Sequence, residues 1–329
     1  MTRIFTLLLA CAANLATANL AVANTPTTPK ATEVQAASLL GGQRGNGQLY
    51  EVVDTQVWDV PDPESGRDYQ VFVALPASYE KEPSRRYPVL YVTDADYAFA
   101  MVKQIARRLN GHGPAIEDFI LIGLSYSVGD HGVPSRRRDY TPTPNGPGSD
   151  VAKSVHGEAQ QYLAYLKQVA IPFVADKYRT DEARRLFLGH SYGGLLGAQA
   201  LLTDPTLFAG YVLGSPSFWY DNKVMWSFEE RYAKSNKDLP ASVYLYVGEY
   251  EDMKPGDARF ATRYNMVTDA RYFEKSLNSR GYPSLRLKLD VLNDEDHLSV
   301  APRGFTHGLK YLLSSGAKKS DRPKAVLSK

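Results

Sequence analysis

The chain's clearest chemical signal is Gly189-His190-Ser191-Tyr192-Gly193, a hydroxyl set between two glycines. Leu186-Phe187-Leu188 precedes it and Leu195-Leu196-Gly197-Ala198 follows, so the stretch reads as buried strand, tight turn and helix. In a Gly-x-Ser-x-Gly elbow the serine sits on strained backbone with positive φ. The glycines remove Cβ atoms that would collide across the turn. The helix then points its first N–H groups at any oxyanion formed beside the hydroxyl. By chance the pattern arises in roughly one chain of this length in ten, so alone it is weak. A glycine-rich turn whose serine merely caps the helix is the competing reading. What tells them apart is company: a serine nucleophile needs a base within hydrogen-bond reach, and the base needs an orienting acid.

The chain has six histidines. His190 adjoins Ser191, and the elbow turns it away, which makes it a packing residue. His112, His131 and His156 precede the serine, in or beside loops, and His307 falls within a helical pattern. His297 follows the last strand, in a loop before the terminal helix, and is the candidate base. Glu249, Glu251 and Asp252 follow the strand ending at Val247 and are the candidate acids. Glu251 is favoured, then Asp252, because an acid a few residues past the strand end can point at the imidazole. The order serine, acid, histidine is that of an elbow hydrolase. Each of these groups has a bland alternative as a solvated loop residue.

The elements that must position these groups alternate. Residues 48–58 and 69–75 read as an antiparallel strand pair. Residues 87–93 and 119–124 are continuously apolar, as strands buried on both faces are. A helix over 98–109 lies between them. Residues 125–150 are polar and rich in Pro, Gly and Arg, a loop of functional length. Apolar spacing at Tyr162, Leu163, Leu166, Val169 and Phe173 predicts a long helix over 156–177. Further strands are expected at 209–214, 243–248 and 285–292, with helices over 262–279 and 302–314. Strands alternating with helices through 87–314 predict one α/β domain with a mostly parallel sheet and helices on both faces.

With 329 residues, net charge +2 and 43% hydrophobic residues, the composition is that of a globular chain. The near-neutral charge gives no reason to expect nucleic acid. Residues 1–23 read as a signal peptide: Arg3, a short apolar run over 4–13, and Ala21-Val22-Ala23 before Asn24. Leu8-Leu9-Ala10-Cys11 faintly resembles a lipidation box, the alternative fate for this segment. Cys11 is the single cysteine, so cleavage at Ala23 leaves no disulfide or thiol chemistry, which suits a bacterial periplasm. Residues 24–48 read as a flexible leader, 49–315 as the catalytic domain and 316–329 as a disordered basic tail. No later stretch reaches the roughly 18 consecutive apolar residues of a membrane span, so no stable membrane insertion is expected.

Several motifs together resemble the esterase-D-like branch of the α/β-hydrolases, above all its siderophore esterases of the enterobactin and salmochelin type. They are Asp94-Ala95-Asp96-Tyr97-Ala98-Phe99, Arg138-Asp139-Tyr140-Thr141-Pro142, the serine elbow, Ser215-Pro216-Ser217-Phe218-Trp219, Val247-Gly248-Glu249-Tyr250-Glu251 and Glu295-Asp296-His297. The resemblance covers roughly residues 50–314. It implies an α/β-hydrolase fold and a Ser-acid-His hydrolase without metal or organic cofactor. It also implies an oxyanion hole made by the backbone N–H groups of Tyr192 and Asp96. The family usually has glycine where this chain has Ala95. Some siderophore esterases resemble a Ser-His dyad, which leaves the acid open.

The expectation is a periplasmic or secreted serine esterase with Ser191 as nucleophile, His297 as base and Glu251 as acid. Arg136, Arg137 and Arg138 fall in the long loop at the carboxyl end of a strand, where α/β sheets bind ligands. Guanidinium forks with Tyr140 and Trp219 as aromatic walls suit a bulky, anionic, aromatic ligand. Joined to the resemblance, this makes a ferric catecholate tri-ester the expected substrate, with Arg138 holding it. The structural alternative pairs Arg138 with Asp139. A general carboxyl or feruloyl esterase, an acyltransferase on the same fold and a non-catalytic binding protein are the rival functions.

Overall fold

The strands marked by continuous apolar runs are the ones buried at every residue. These are β3 (Tyr87–Val92), β4 (Ile120–Leu124) and β6 (Gly210–Gly214). The computed structural model describes Gly47 and residues 51–148, 154–260 and 262–315. The expected signal segment with its cleavage site, Cys11, the expected leader apart from Gly47, and the basic tail lie outside the described residues. The described residues from Glu51 onward form one compact unit.

With β1 (Thr55–Asp59), β2 (Gln70–Ala74), β5 (Thr180–His190), β7 (Ser242–Gly248) and β8 (Arg286–Leu292), these strands form one sheet. Its order is β1-β2-β4-β3-β5-β6-β7-β8. β2 runs antiparallel to both β1 and β4, and every later pairing is parallel. On one face lie α1 (Ala95–Leu109) and, from the far end of the chain, α9 (Ala301–Leu312). The other face carries α3 (Ala159–Tyr165), α4 (Ile171–Lys177), α5 (Tyr192–Thr203), α7 (Met225–Ser235) and the inner side of α8 (Met266–Ser279). This is the α/β-hydrolase fold. Because the strands from β3 on are parallel, their carboxyl ends share one edge, and loops from that edge converge. Among the described residues, no helix is long and apolar enough to cross a membrane.

Four local expectations are corrected. The first strand begins at Thr55 rather than near residue 48, because Asp54 takes a left-handed turn (φ 56) just before it. The polar stretch after β4 contains a helix, α2 (Gly132–Asp139), which buries only Ser135 and Asp139. Such a helix shows no apolar period. The helix expected over 156–177 starts at Ala159 and is broken by a π-helical turn at Leu166–Ala170. Pro172 follows at once, and its missing N–H and ring crowding leave no room for a regular turn there. Finally, β6 leads through a short turn, α6 (Tyr220–Lys223), into α7, where no element was expected. That turn holds three consecutive non-glycine residues at positive φ, Asp221, Asn222 and Lys223. Asp221 accepts from Thr143, and Lys223 donates to the buried Asp269.

Candidate active site

Ser191 stands between β5 and α5 with φ 60 and ψ −117. A non-glycine residue pays for such a conformation and keeps it only where the surroundings over-determine it. Here they do. Its N–H donates to the Gly214 carbonyl at 2.8 Å, and its own carbonyl accepts from Leu195 N–H at 3.0 Å. A Cβ on Gly189 would run into the Gly193 carbonyl, and one on Gly193 into the Thr93 hydroxyl. The elbow therefore closes only with glycine at both positions.

Three strand ends bring three groups together. Ser191 Oγ, after β5, lies 3.0 Å from His297 Nε2. His297 sits in the loop after β8, and its Nδ1 lies 2.6 Å from Glu251 Oε2. Glu251 closes a single 3₁₀ turn after β7 and is 2% exposed. Its other oxygen accepts from the Ser215 hydroxyl at 2.6 Å and from the Gly248 N–H at 2.7 Å. A buried carboxylate needs such compensation. The two other acids are engaged elsewhere. Glu249 accepts from Asp294 N–H, and Asp252 accepts from the N–H and hydroxyl of Thr268 in α8. Ser217, fully buried, places its hydroxyl 3.4 Å from Ser191 Oγ.

The side expected to hold an oxyanion lies where α1 and α5 begin. The first N–H groups of a helix have no intrahelical acceptor, so those of Asp96 and Tyr192 are free to serve a ligand. The two helix starts abut, as the near-contact of Gly193 with Thr93 and Asp94 records. Asp94 caps α1 from a left-handed conformation (φ 57) and is 1% exposed. Its carboxylate accepts from Tyr126 at 2.8 Å and from Arg136 Nε at 2.7 Å. Burial pushes this carboxyl upward, against the pull of Arg136 and Tyr126. Arg136 also donates to the His190 carbonyl at 3.3 Å, so one guanidinium ties the start of α1 to the elbow.

The expected substrate wall is only partly as read from sequence. Arg138 is consumed: it forms a fork to Asp139 at 2.8 and 2.9 Å and reaches Asp130 at 2.6 Å. Asp139 is 1% exposed and also accepts from Ser135 and Tyr69. Burial works against the charge on Arg138, but its bonds to Asp139 and Asp130 hold its pKa above the usual range. Tyr140 is likewise corrected, being 1% exposed and packed on Tyr162, so it lines no cleft. Thr141, also buried, donates to the Arg137 carbonyl and accepts from Gly157 N–H. The Arg-Asp-Tyr-Thr motif is thus an internal brace for the segment after β4. Trp219 does lie beside the site. Its half-buried ring stacks on Tyr264 at 3.9 Å with 7° between planes and lies 6.0 Å from the ring of Tyr192. Arg137 has no ion-pair or hydrogen-bond partner for its guanidinium among the described residues. Its charge is felt at Tyr192 and His156.

Sequence reasoning named Ser215, Ser217 and Arg136 only within motifs, without the roles the structure gives them, and passed over Tyr264. The first two had a usable signal, since Ser-Pro-Ser directly ends an apolar strand at the sheet's functional edge. Arg136 and Tyr264 had none, because their partners are distant in sequence.

A family model described as a putative esterase matches residues 63–284, about two-thirds of the chain. The chain is similar to the ferri-bacillibactin esterase BesA of Bacillus subtilis, 25% identical over 280 residues, spanning 82% of this chain and 93% of that one. It is also similar to a siderophore enterobactin esterase of Emericella nidulans, 28% identical over 286 residues, spanning 79% and 94%. Among solved structures, the BES protein from Bacillus cereus superposes with a TM-score of 0.69 at 22% identity, covering 82% of this chain and all of that one.

Proposed function

The chain belongs to the putative-esterase family and is a serine hydrolase acting on ester bonds; from that premise we propose that it is a periplasmic siderophore esterase working through Ser191, His297 and Glu251. The observation that carries the catalytic part of this reading is the unbroken hydrogen-bonded line from Ser191 Oγ through the imidazole to a buried carboxylate, 3.0 and 2.6 Å long.

Ser191 Oγ attacks the ester carbonyl while its proton passes to His297 Nε2. Glu251 stabilises the imidazolium that forms and keeps Nδ1 protonated and correctly aimed. The N–H groups of Tyr192 and Asp96 bind the tetrahedral oxyanion, the charge that exists only near the transition state. Collapse of that intermediate breaks the C–O bond, and His297 returns the proton to the leaving alcohol. Water then attacks the acyl-enzyme, giving its proton to the same nitrogen, and the acid departs as Ser191 is restored.

For the substrate, the Arg137 guanidinium, without a partner among the described residues, and the stacked rings of Trp219 and Tyr264 favour an anionic aromatic ester. The siderophore esterases among the relatives support a catecholate tri-ester. Arg137 takes the role that sequence alone assigned to Arg138.

The test is a hydrolysis panel of short aryl esters, a feruloyl ester and catecholate tri-esters with and without iron. The highest kcat/KM should fall on a tri-ester. Efficient cleavage of aryl esters with none of the tri-esters would end the siderophore assignment and leave a general esterase. For location, the mature chain recovered from periplasm should begin near Asn24; a lipid-modified Cys11 would overturn that.

A further inference from the structure

His190, the residue before Ser191, has both ring nitrogens engaged although it is only 7% exposed. Nε2 lies 2.9 Å from the main-chain carbonyl oxygen of His297, and Nδ1 lies 3.1 Å from the Tyr246 hydroxyl. A carbonyl oxygen can only accept, so Nε2 carries the proton and Nδ1 accepts from Tyr246. The two contacts select one tautomer of a neutral ring. Burial first, and then the neighbouring His297, lower its pKa to about 3. It therefore stays neutral at any pH where an esterase with a histidine base works.

The segment carrying His297 lies beyond the outermost parallel strand. It opens on Asp294 at φ 61 and leaves Leu298 86% exposed. Its other ties run to the equally peripheral loop after β7, through Tyr250 N–H to the Glu295 carbonyl and Asp294 N–H to Glu249, and to α9, through Arg303 to the Asn293 carbonyl and Glu295. Asp296 adds a local cap on the N–H groups of Leu298 and Ser299. The bond from His190 differs from all of these. It starts on a central strand, one peptide link from the nucleophile, and ends on the main chain of the base itself.

We propose that His190 is a positioning residue for ester cleavage: its Nε2–H holds the His297 carbonyl and so sets the separation of Ser191 and His297. The inference rests on the reading of those two residues as nucleophile and base. The physical reason is closure. Ser191, His190, the His297 peptide and the His297 imidazole form one loop of covalent and hydrogen bonds, which cannot open at the Oγ–Nε2 contact without straining elsewhere. Neutrality is part of the design. The two imidazole centroids are 4.7 Å apart, so a charged anchor would oppose the imidazolium that forms on His297.

The experiment compares wild type with His190→Phe, which keeps the ring and removes both nitrogens, and His190→Gln, which restores a neutral N–H donor. Readouts are kcat and KM on an aryl ester, the rate of fluorophosphonate labelling, and the low-field NMR resonance of the His297 Nδ1–H. His190→Phe should lower kcat and labelling about tenfold to a hundredfold with KM nearly unchanged, as a misplaced reacting pair does. The low-field resonance should broaden, and His190→Gln should recover part of the rate. A folded His190→Phe enzyme with wild-type kcat and a sharp resonance would reduce His190 to packing and overturn the proposal. Should that variant not fold, Tyr246→Phe decides, since it deletes only the hydroxyl that fixes the tautomer. A kcat loss of about threefold or more supports the proposal, and an unchanged kcat rejects it. Wild type that resists labelling would strike the reading of Ser191 itself, whereas labelling of wild type matched by His190→Phe strikes this inference alone.

Discussion

The two sides of the cleft are held in place by different kinds of bond. On the strand side, Ser191, Glu251 and His297 each follow a parallel strand, and main-chain groups fix them: Gly214 for Ser191, Gly248 for Glu251, the His297 carbonyl for its loop. On the α2 side no strand lies beneath the wall. A helix without an apolar face is instead fastened by the ion pair of Arg136 with Asp94 and braced within its own segment by those of Arg138 with Asp139 and Asp130. A main-chain group takes part in each of these bonds, so the first side depends on few neighbouring side chains, His190 and Ser215 among them. Ion-pair anchoring makes the second depend on individual charges. Damage to the strand side should appear as lost turnover, and damage to the α2 side as lost stability or altered substrate binding.

The largest expected effect is on the strand side. Ser191→Ala should leave the melting temperature nearly unchanged and reduce ester hydrolysis by a factor on the order of a thousand or more. Near-wild-type turnover would remove the basis of the contrast. Next comes the acid. Glu251→Gln should cost about a hundredfold or more in kcat, while Asp252→Asn and Glu249→Gln should cost less than about tenfold. Equal mild losses at all three would point to a dyad and make the buried carboxylate a structural group.

The α2 side is probed by adjacent arginines. Arg138→Ala strands the buried Asp139 and should cost about 3 kcal/mol of stability, read by denaturant titration. Arg137→Ala should leave stability alone and raise KM for a catecholate tri-ester more than for a small neutral ester. If the two variants behave alike, the helix is not divided into a brace and a binding group.

The smallest effect is a slope in pH. The His190 pKa is about 3 when folded and near 6.5 when unfolded. Between these values the unfolded chain binds the extra proton, so this group's contribution to stability is complete above pH 6.5 and falls as pH drops. The slope is at most about 1.4 kcal/mol per pH unit. His190→Phe should lose less stability than wild type between pH 6 and pH 4 in chemical denaturation. Parallel curves would mean that His190 does not differ in protonation between the two states.

The same contrast explains what could be read from sequence. Strand ends announce themselves, because an apolar run that stops at Gly-His-Ser or at Val-Gly-Glu marks both a layer of the core and the place where it meets solvent. Ser191, His297 and Glu251 were therefore named in advance, and the sheet with them. Arg138 and Tyr140 were misread because residue type alone does not say whether a guanidinium is already paired or a ring already buried. For Arg138 the pairing with its neighbour Asp139 stood as the alternative, reinforced by Asp130 eight residues earlier and by Tyr69 on Asp139; for Tyr140 the covering ring of Tyr162 comes from a later helix. α2 was missed because a helix that buries a serine and an aspartate has no apolar period. α7 was missed behind three left-handed residues that look like a loop. His190 was taken for packing because its two partners, Tyr246 and the His297 carbonyl, lie more than 50 residues away.

The backbone at Ser191 has a meaning for stability as well as for chemistry. A non-glycine residue at φ 60, ψ −117 burdens the folded state by about 1–3 kcal/mol, a burden glycine would not carry. A protein that used this fold merely to bind ligands would have no need of that burden. Glycine there would relieve the burden at the loss of the hydroxyl that meets the His297 imidazole.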